Sequence, residues 1–410
     1  MRQKPSALAL SLLLAACTNS EAQAPPAQQT RAAVHHEIRA SSLPKPFATR
    51  SAGNPARVVS RPANAQLALP PGFHIAVWAE DLEDPRNMIL APNGDVLVAE
   101  TAAGRVSVLR DTNHDGRADK RFPMLAEQNE PFGLALRGDQ LYVGNGNGVW
   151  RFPFKAGQTS ITASGTKLFA LPAGGHSTRN IIFNGDGSKL YVAAGSRSNV
   201  EDETDDPLRA AITEYNADGS GRRTFASGLR NPVGLAWNPA NQTLWTAVNE
   251  RDGLGDDLVP DYITEVKRGA FYGWPFSYIG KNADPRRSGE HPELVAKAIE
   301  PSLLIQAHSA PLGVTFYSGS MFPQSYRGGA FVALHGSWNR ASRTGYSVVF
   351  VPFRNGQPSG GYDDFVTGWA PDPQSRSVWG RPVGLLVLGD GSLLISDDGA
   401  GMIWRVTYTR

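Results

Sequence analysis

The stretch Gly174-Gly175-His176-Ser177-Thr178-Arg179-Asn180 puts a histidine and an arginine three residues apart on a glycine-broken loop, directly before an apolar strand, a turn and a second apolar strand. A rigid β-scaffold that presents a histidine on a loop presents a base. Gly228-Leu229-Arg230-Asn231-Pro232-Val233-Gly234 stands in the same way before another hairpin, and Glu127-Gln128-Asn129-Glu130-Pro131-Phe132-Gly133 before a third. If these hairpins are copies of one unit, His176, Arg179, Arg230 and Asn231 share one pocket. Two arginines there would bind carboxylates and keep the imidazole neutral enough to act as a base. The competing readings are an ordinary loop histidine at 176 and a structural salt bridge at Arg230.

The hairpin does recur. Copies open at Asn87-Met88-Ile89-Leu90, Phe132-Gly133-Leu134, Ile181-Ile182-Phe183, Val233-Gly234-Leu235, Leu312-Gly313-Val314 and Val383-Gly384-Leu385, with Gly, Asn or Asp in most of the turns. Six such units at intervals of about 45 to 80 residues indicate a radially repeated antiparallel fold. The expected fold is all-β, a six-bladed β-propeller of four-stranded antiparallel blades. Equivalent loops then converge on one end of the axis. Phe73-His74-Ile75-Ala76-Val77-Trp78-Ala79 is expected to close the ring by pairing with the last strand, Met402-Ile403-Trp404-Arg405-Val406.

The ends of the chain read differently. Arg2 and Lys4 precede an apolar run from Ala7 to Ala16, the pattern of a secretory signal over residues 1–16 that is too short to span a bilayer. Leu14-Ala15-Ala16-Cys17 resembles the lipobox of bacterial lipoproteins, which implies lipidation of Cys17 and a lipid-anchored protein on the periplasmic side of a membrane. A plain signal peptide is the alternative. Residues 17–66, rich in Ala, Pro, Gln, Ser and Arg, read as a flexible tether, with His35 and His36 solvated within it. Residues 67–410 form the propeller domain. Cys17 is the only cysteine, so that domain has no intramolecular disulfide. The 40 Lys and Arg against 38 Asp and Glu give no reason to expect nucleic acid as a partner.

Asp111-Thr112-Asn113-His114-Asp115-Gly116-Arg117-Ala118-Asp119 carries oxygen side chains at positions one, three, five and nine and glycine at six. Asp111, Asn113, Asp115, the main chain of Arg117 and Asp119 therefore match most of a calcium loop, although Phe122 stands where an EF-hand has glutamate. A metal-free Asx turn is the alternative. Tyr278 to Glu300 forms a polar insertion, expected between blades four and five.

Gly175-His176 with Arg179, Leu229-Arg230-Asn231-Pro232-Val233-Gly234-Leu235-Ala236, Asn249-Glu250-Arg251-Asp252-Gly253-Leu254-Gly255-Asp256-Asp257 and Gly269-Ala270-Phe271-Tyr272-Gly273-Trp274-Pro275 together resemble the soluble pyrroloquinoline-quinone (PQQ) sugar dehydrogenases of the sorbosone or aldose sugar dehydrogenase type. The resemblance covers about residues 70–410 and implies oxidation of an aldose or a sorbosone-like aldehyde by hydride transfer to PQQ. It implies His176 as general base, Arg230 and Asn231 at the reactive carbonyls of the quinone, and the main-chain carbonyls of Arg251 and Asp252 on a calcium ion. It also implies a periplasmic electron acceptor, a quinone or a cytochrome. Where glucose-type members place a lysine and two arginines around the cofactor carboxylates, this chain reads Leu334-His335-Gly336-Ser337-Trp338-Asn339-Arg340 and Trp379-Gly380-Arg381-Pro382. Arg381 matches one arginine, Trp379 stands in place of the other, and Arg340 or His335 compensates for the lysine. Two rival functions remain on the sequence: a calcium-dependent lactonase with axial Glu, Asn and Asp ligands, and a non-catalytic binding propeller.

Overall fold

Each of the six repeated hairpins is the inner pair of a four-stranded antiparallel blade in a computed structural model that describes residues 27–409. The stretch expected to be a signal sequence, and Cys17, lie outside the described residues. The inner strands are Pro85–Leu90, Gly133–Arg137, Arg179–Phe183, Asn231–Trp237, Pro311–Phe316 and Pro382–Val387. Each lies beside its neighbours around one axis, so the ring closes. Phe73–Ala79 completes blade six against Met402–Tyr408, with Val406 opposite Ile75 and Ile403 opposite Ala79. That closure is the expected one, and it leaves the ring without a long free edge.

Blades stack face to face, so their second strands are buried on both sides; Val96–Glu100, Ala330–Leu334 and Leu393–Asp397 are buried throughout. Trp245 is fully buried between blades four and five with Phe316 and Val332. Trp379 packs with Trp369 and Trp404 at centroid distances of 6.2 and 5.9 Å. It therefore fills core rather than standing in for an arginine at a cofactor.

The glycine repeated in the inner strands has a steric cause. A Cβ on Gly313 would lie 2.2 Å from the Val383 carbonyl oxygen, and one on Gly384 2.3 Å from that of Arg86. The backbone of the next blade comes too close for any side chain. The residues just before these glycines point to the axis, where Phe132, Val233, Leu312 and Val383 form one buried apolar cluster. The Arg86 guanidinium lies 5.5 Å from the Phe132 ring centroid. This plug divides the channel. On its far side a cavity of about 550 Å³ runs down the inner strands to Trp237, Pro239 and Ser318. The loops that carry His176 and Arg230 lie at the other end.

Two expectations are corrected. Residues 27–66 are laid along the propeller instead of forming a free tether. Ala27–Thr30 pairs in parallel with Gln66–Leu69, His35–His36 adds an edge strand to blade five, and Arg57–Val58 pairs with Ser377–Val378. His35 and His36 meet Asp363 at 2.7 Å and Asp364 at 2.9 Å. The segment lacks an apolar period because it docks through backbone and polar groups and through irregularly spaced apolar side chains, Ile38, Leu43 and Val59 among them, which periodic patterning does not register. The insertion from Tyr278 to Glu300 lies within blade four, between strands Asp261–Glu265 and Leu303–Ile305.

Candidate active site

The His176 loop is built around two buried guanidiniums. Arg179, fully buried, donates to the carbonyls of Pro172 at 2.7 Å, Thr178 at 2.9 Å and His176. Arg209 donates to Ala173 at 2.6 Å and Gly174 at 2.7 Å. Burial lowers both, Arg179 to about 10, which leaves each charged at neutral pH. Arg179, expected to bind the cofactor, thus spends both Nη groups inside the loop, while its Nε is buried without a protein partner. Its guanidinium fixes the shape that presents His176.

The imidazole itself is fixed through the strand behind it. Its Nδ1 lies 2.8 Å from the Ser196 carbonyl, which also accepts the His176 amide at 3.1 Å. Nδ1 therefore carries the proton and Nε2 is the basic nitrogen. Burial, and then the charge of Arg230, lower the imidazole to about 4, so it is neutral at physiological pH. Gly195 makes the fit possible: a Cβ there would lie 2.3 Å from Asn231 Oδ1 and 2.7 Å from His176 Cβ. Asn231 and His176 are therefore neighbours across a glycine.

Arg230 donates from Nη1 to the Glu250 carbonyl at 2.8 Å, and from Nη2 to Asn199 Oδ1 at 3.1 Å and to Asp252 Oδ2 at 3.0 Å. Its Nε and the Oδ1 of Asn231 are buried without a protein partner. Asp252 Oδ1 accepts from Asn339 Nδ2, which also lies 3.0 Å from His308 Nδ1. The Asp252 carboxyl is held below its usual range against its burial by His308, whose Nδ1 lies 3.7 Å away, and by the charge of Arg230. On the opposite rim, His335 Nε2 lies 2.8 Å from Asp398, which also binds Arg86 at 2.5 Å. Burial holds His335 down at about 4. Arg381 Nε donates to the His335 carbonyl at 3.2 Å, and its guanidinium lies 5.8 Å from the Tyr346 ring centroid.

The fold thus brings His176, Arg230, Asn231 and the carboxylate of Asp252 together. Arg340 stands apart on the rim, where it pairs with Asp257 at 2.6 Å and donates to the carbonyls of Asp256 and Ser342. It is not placed to replace a cofactor-binding lysine. The Asp252 carbonyl, expected on a calcium ion, accepts Asn199 Nδ2 at 3.0 Å and Arg286 Nη1 at 2.7 Å. The Arg251 side chain is buried between Glu250 at 2.9 Å and Asp284 at 3.2 Å. This loop is organised around ion pairs, and the Asp252 carbonyl does not fit a calcium ligand. Arg286 belongs to the blade-four insertion, which therefore does shape the rim.

The 111–119 loop is laced by its own bonds, although Asp111 Oδ1 is buried without a protein partner. Asp111 accepts the Gly116 amide at 2.9 Å, Asn113 donates to Asp115 at 2.9 Å, Asp115 accepts the Arg117 amide at 2.9 Å, and Asp119 accepts the Thr112 amide at 2.6 Å. Among the described residues no group of three or more His, Cys, Asp or Glu side chains is placed to hold a metal ion. Sequence reading missed Asn199, Arg209, Asn339 and the Asp252 carboxylate as parts of the site. Arg209 and Asn339 carry no repeat signature, while Asp252 was read for its main chain alone.

For a quinone bearing carboxylates the donor set fits better. A buried, unpartnered Nε–H donor at Arg230 and an unpartnered Oδ1 acceptor at Asn231 stand next to a neutral histidine. Such atoms need a polar ligand or water.

Comparison with known proteins agrees on the architecture. A family model described as TrAA12-like matches residues 67–265 and 284–409. A PQQ-dependent pyranose dehydrogenase of Coprinopsis cinerea is 26% identical over 83% of this chain, which spans only 54% of that enzyme. An aldose sugar dehydrogenase of Escherichia coli is 30% identical over 38% of the chain and 44% of its own length. A family AA12 structure from Trichoderma reesei superposes with a TM-score of 0.75 at 22% identity, covering 87% of this chain and all of that one.

Proposed function

The chain belongs to the TrAA12-like family, and from that premise we propose that it is a PQQ-dependent sugar dehydrogenase that oxidises the hydroxyl of an aldose or a related sugar aldehyde. Its similarity to PQQ-dependent pyranose and aldose sugar dehydrogenases supports the class. The single observation that carries the reading is a neutral His176 with basic Nε2, set beside the unpartnered polar atoms of Arg230 and Asn231.

Bound PQQ supplies the two-electron acceptor. Arg230 would hold it through the Nε–H that has no protein partner, Asn231 would offer its open Oδ1 to an N–H or O–H of the bound molecules, and Arg381 lies on the opposite rim. His176 Nε2 takes the proton of the substrate hydroxyl while its Nδ1–H stays on the Ser196 carbonyl, so the ring does not turn as it protonates. Arg230, anchored by Asp252, Asn199 and the Glu250 carbonyl, keeps a fixed positive charge where negative charge develops. No step is assigned to calcium.

We extend the proposal to location and partners. The leader and Cys17 support a lipid-anchored protein on the periplasmic side of a bacterial membrane that passes electrons to a quinone or a cytochrome.

The test is dye-linked oxidation of an aldose panel by purified protein freed of cofactor, with and without added PQQ, comparing wild type with His176→Ala. PQQ-dependent turnover that collapses in the variant is expected. Absence of turnover on every sugar, together with no spectral change on adding PQQ, would overturn the reading.

A further inference from the structure

Asn54 lies in the N-terminal arm, outside the family match, which begins at residue 67. All four of its polar groups nevertheless bond to one loop of blade five. Its amide donates to the Trp338 carbonyl at 2.7 Å, and its Nδ2 donates to the carbonyls of Arg340 at 3.1 Å and Ala341 at 3.0 Å. Its own carbonyl and its Oδ1 accept from Arg343, at 3.0 and 2.9 Å. The carbonyls of residues 338 and 340 flank Asn339, so Asn54 fixes the main chain on both sides of the residue that reaches Asp252. Asp252 in turn binds Arg230 at 3.0 Å.

The arm also bonds the opposing loop. Phe47 donates its amide to the Leu254 carbonyl at 2.7 Å, and Thr49 Oγ1 accepts the Asp256 amide at 2.8 Å. Both loops that meet at the Asn339–Asp252 contact are therefore tied to one segment from outside the repeat. Trp338 in the blade-five loop is 52% exposed, so around Asn339 the loop is held by polar contacts: those from Asn54, and those of Arg340 and the Ala341 amide to Asp256 and Asp257.

We propose that Asn54 is a positioning residue of the active site, setting Asn339 against Asp252 and through that carboxylate orienting Arg230. The inference rests on the functional reading above for its consequence in cofactor binding. The orientation of a charge-assisted hydrogen bond depends on both partners being held, and Asn54 holds the one that Asp252 cannot.

The experiment uses the full chain with Asn54→Ala and Asn54→Asp. The aspartate keeps an acceptor for Arg343 and both main-chain bonds, but loses the Nδ2 donor that sets the loop. Two readouts are taken: amide hydrogen exchange across 250–256, a segment Asn54 does not touch, and the PQQ dissociation constant from an equilibrium absorbance titration without substrate. Both variants are expected to speed exchange across 250–256 by about tenfold and weaken PQQ about five- to tenfold, with blade strands unchanged. Changes confined to residues 338–343, or an aspartate variant that behaves as wild type, would overturn the proposal. A wild-type protein that binds no PQQ would defeat the functional reading, and the exchange data would still decide the role of Asn54.

Discussion

The carbonyl oxygen of Ser196 takes two hydrogen bonds from His176, one from the backbone amide at 3.1 Å and one from Nδ1 at 2.8 Å. Main chain and ring are therefore held by a single atom of the neighbouring strand end, and that strand end is itself held, since the Ser196 amide donates to the Arg230 carbonyl at 2.7 Å. Base and guanidinium are linked through backbone, which side-chain substitutions cannot easily loosen. His176→Ala is expected to reduce sugar oxidation by about 10²- to 10⁴-fold, the usual worth of a positioned base. PQQ affinity measured by titration should change little in the same variant.

The titration of His176 gives a second test. Its folded value is lowered from 6.5 to about 4, first by burial and then by Arg230. Between those values the unfolded chain binds the proton and the folded chain does not, so stability falls as pH drops from about 6.5 to about 4 and is level outside that window. Urea unfolding of His176→Gln should show a shallower loss across the window. Direct NMR titration of the imidazole should give a midpoint well below 6, and Arg230→Gln should raise it.

Gly195→Ala puts a methyl 2.3 Å from Asn231 Oδ1 and 2.7 Å from His176 Cβ. The two neighbours must separate. Turnover is expected to fall at least tenfold, a loss of about 1.4 kcal/mol or more in transition-state stabilisation, while the melting temperature moves by only a few degrees. Steady-state kinetics beside calorimetry separates the two effects; equal damage to both would show that the contact is merely structural.

Arg179→Met removes a fully buried guanidinium and leaves the carbonyls of Pro172, His176 and Thr178 without their donor. A destabilisation of about 2–4 kcal/mol in denaturant unfolding is expected, since each abandoned buried acceptor costs roughly 1–3 kcal/mol before relaxation. Arg179→Lys should not rescue it, because a single ammonium cannot span three carbonyls set for a planar fork.

Docking of the arm should depend on pH. His36 is stacked on Tyr362 at a centroid distance of 5.0 Å and bonded to Asp364, and that bond raises its value above 6.5. A raised folded value means the contribution is complete below about 6.5 and is lost as pH rises through the folded value. Limited proteolysis within residues 27–66 should therefore be faster at pH 8.5 than at pH 6, and His36→Ala should abolish the difference.

The ring of blades was legible because repetition and two-residue alternation are local signals, and glycine in the inner strands marks where backbones approach. The placement of His176 and Arg230 before equivalent hairpins was legible for the same reason: a radial repeat converts sequence position into position around the axis. The role of Arg179 was not, since a charged residue beside a histidine reads as a ligand for substrate until burial shows it spent on loop carbonyls. Nor was the docked course of residues 27–66, which carries no apolar period and binds through backbone, polar groups and scattered apolar side chains.

What the sequence determined by itself was therefore the repeat, the closure of the ring by Phe73–Ala79, and which end of the channel carries His176 and Arg230. Only the tertiary structure decided which polar groups are already satisfied. It showed the Asp252 carbonyl taken by Asn199 and Arg286, Arg340 taken by Asp257, and Arg230 left with an open Nε. The reason is physical: hydrogen-bond saturation depends on partners brought together from distant parts of the chain, and no local pattern of residue types encodes it.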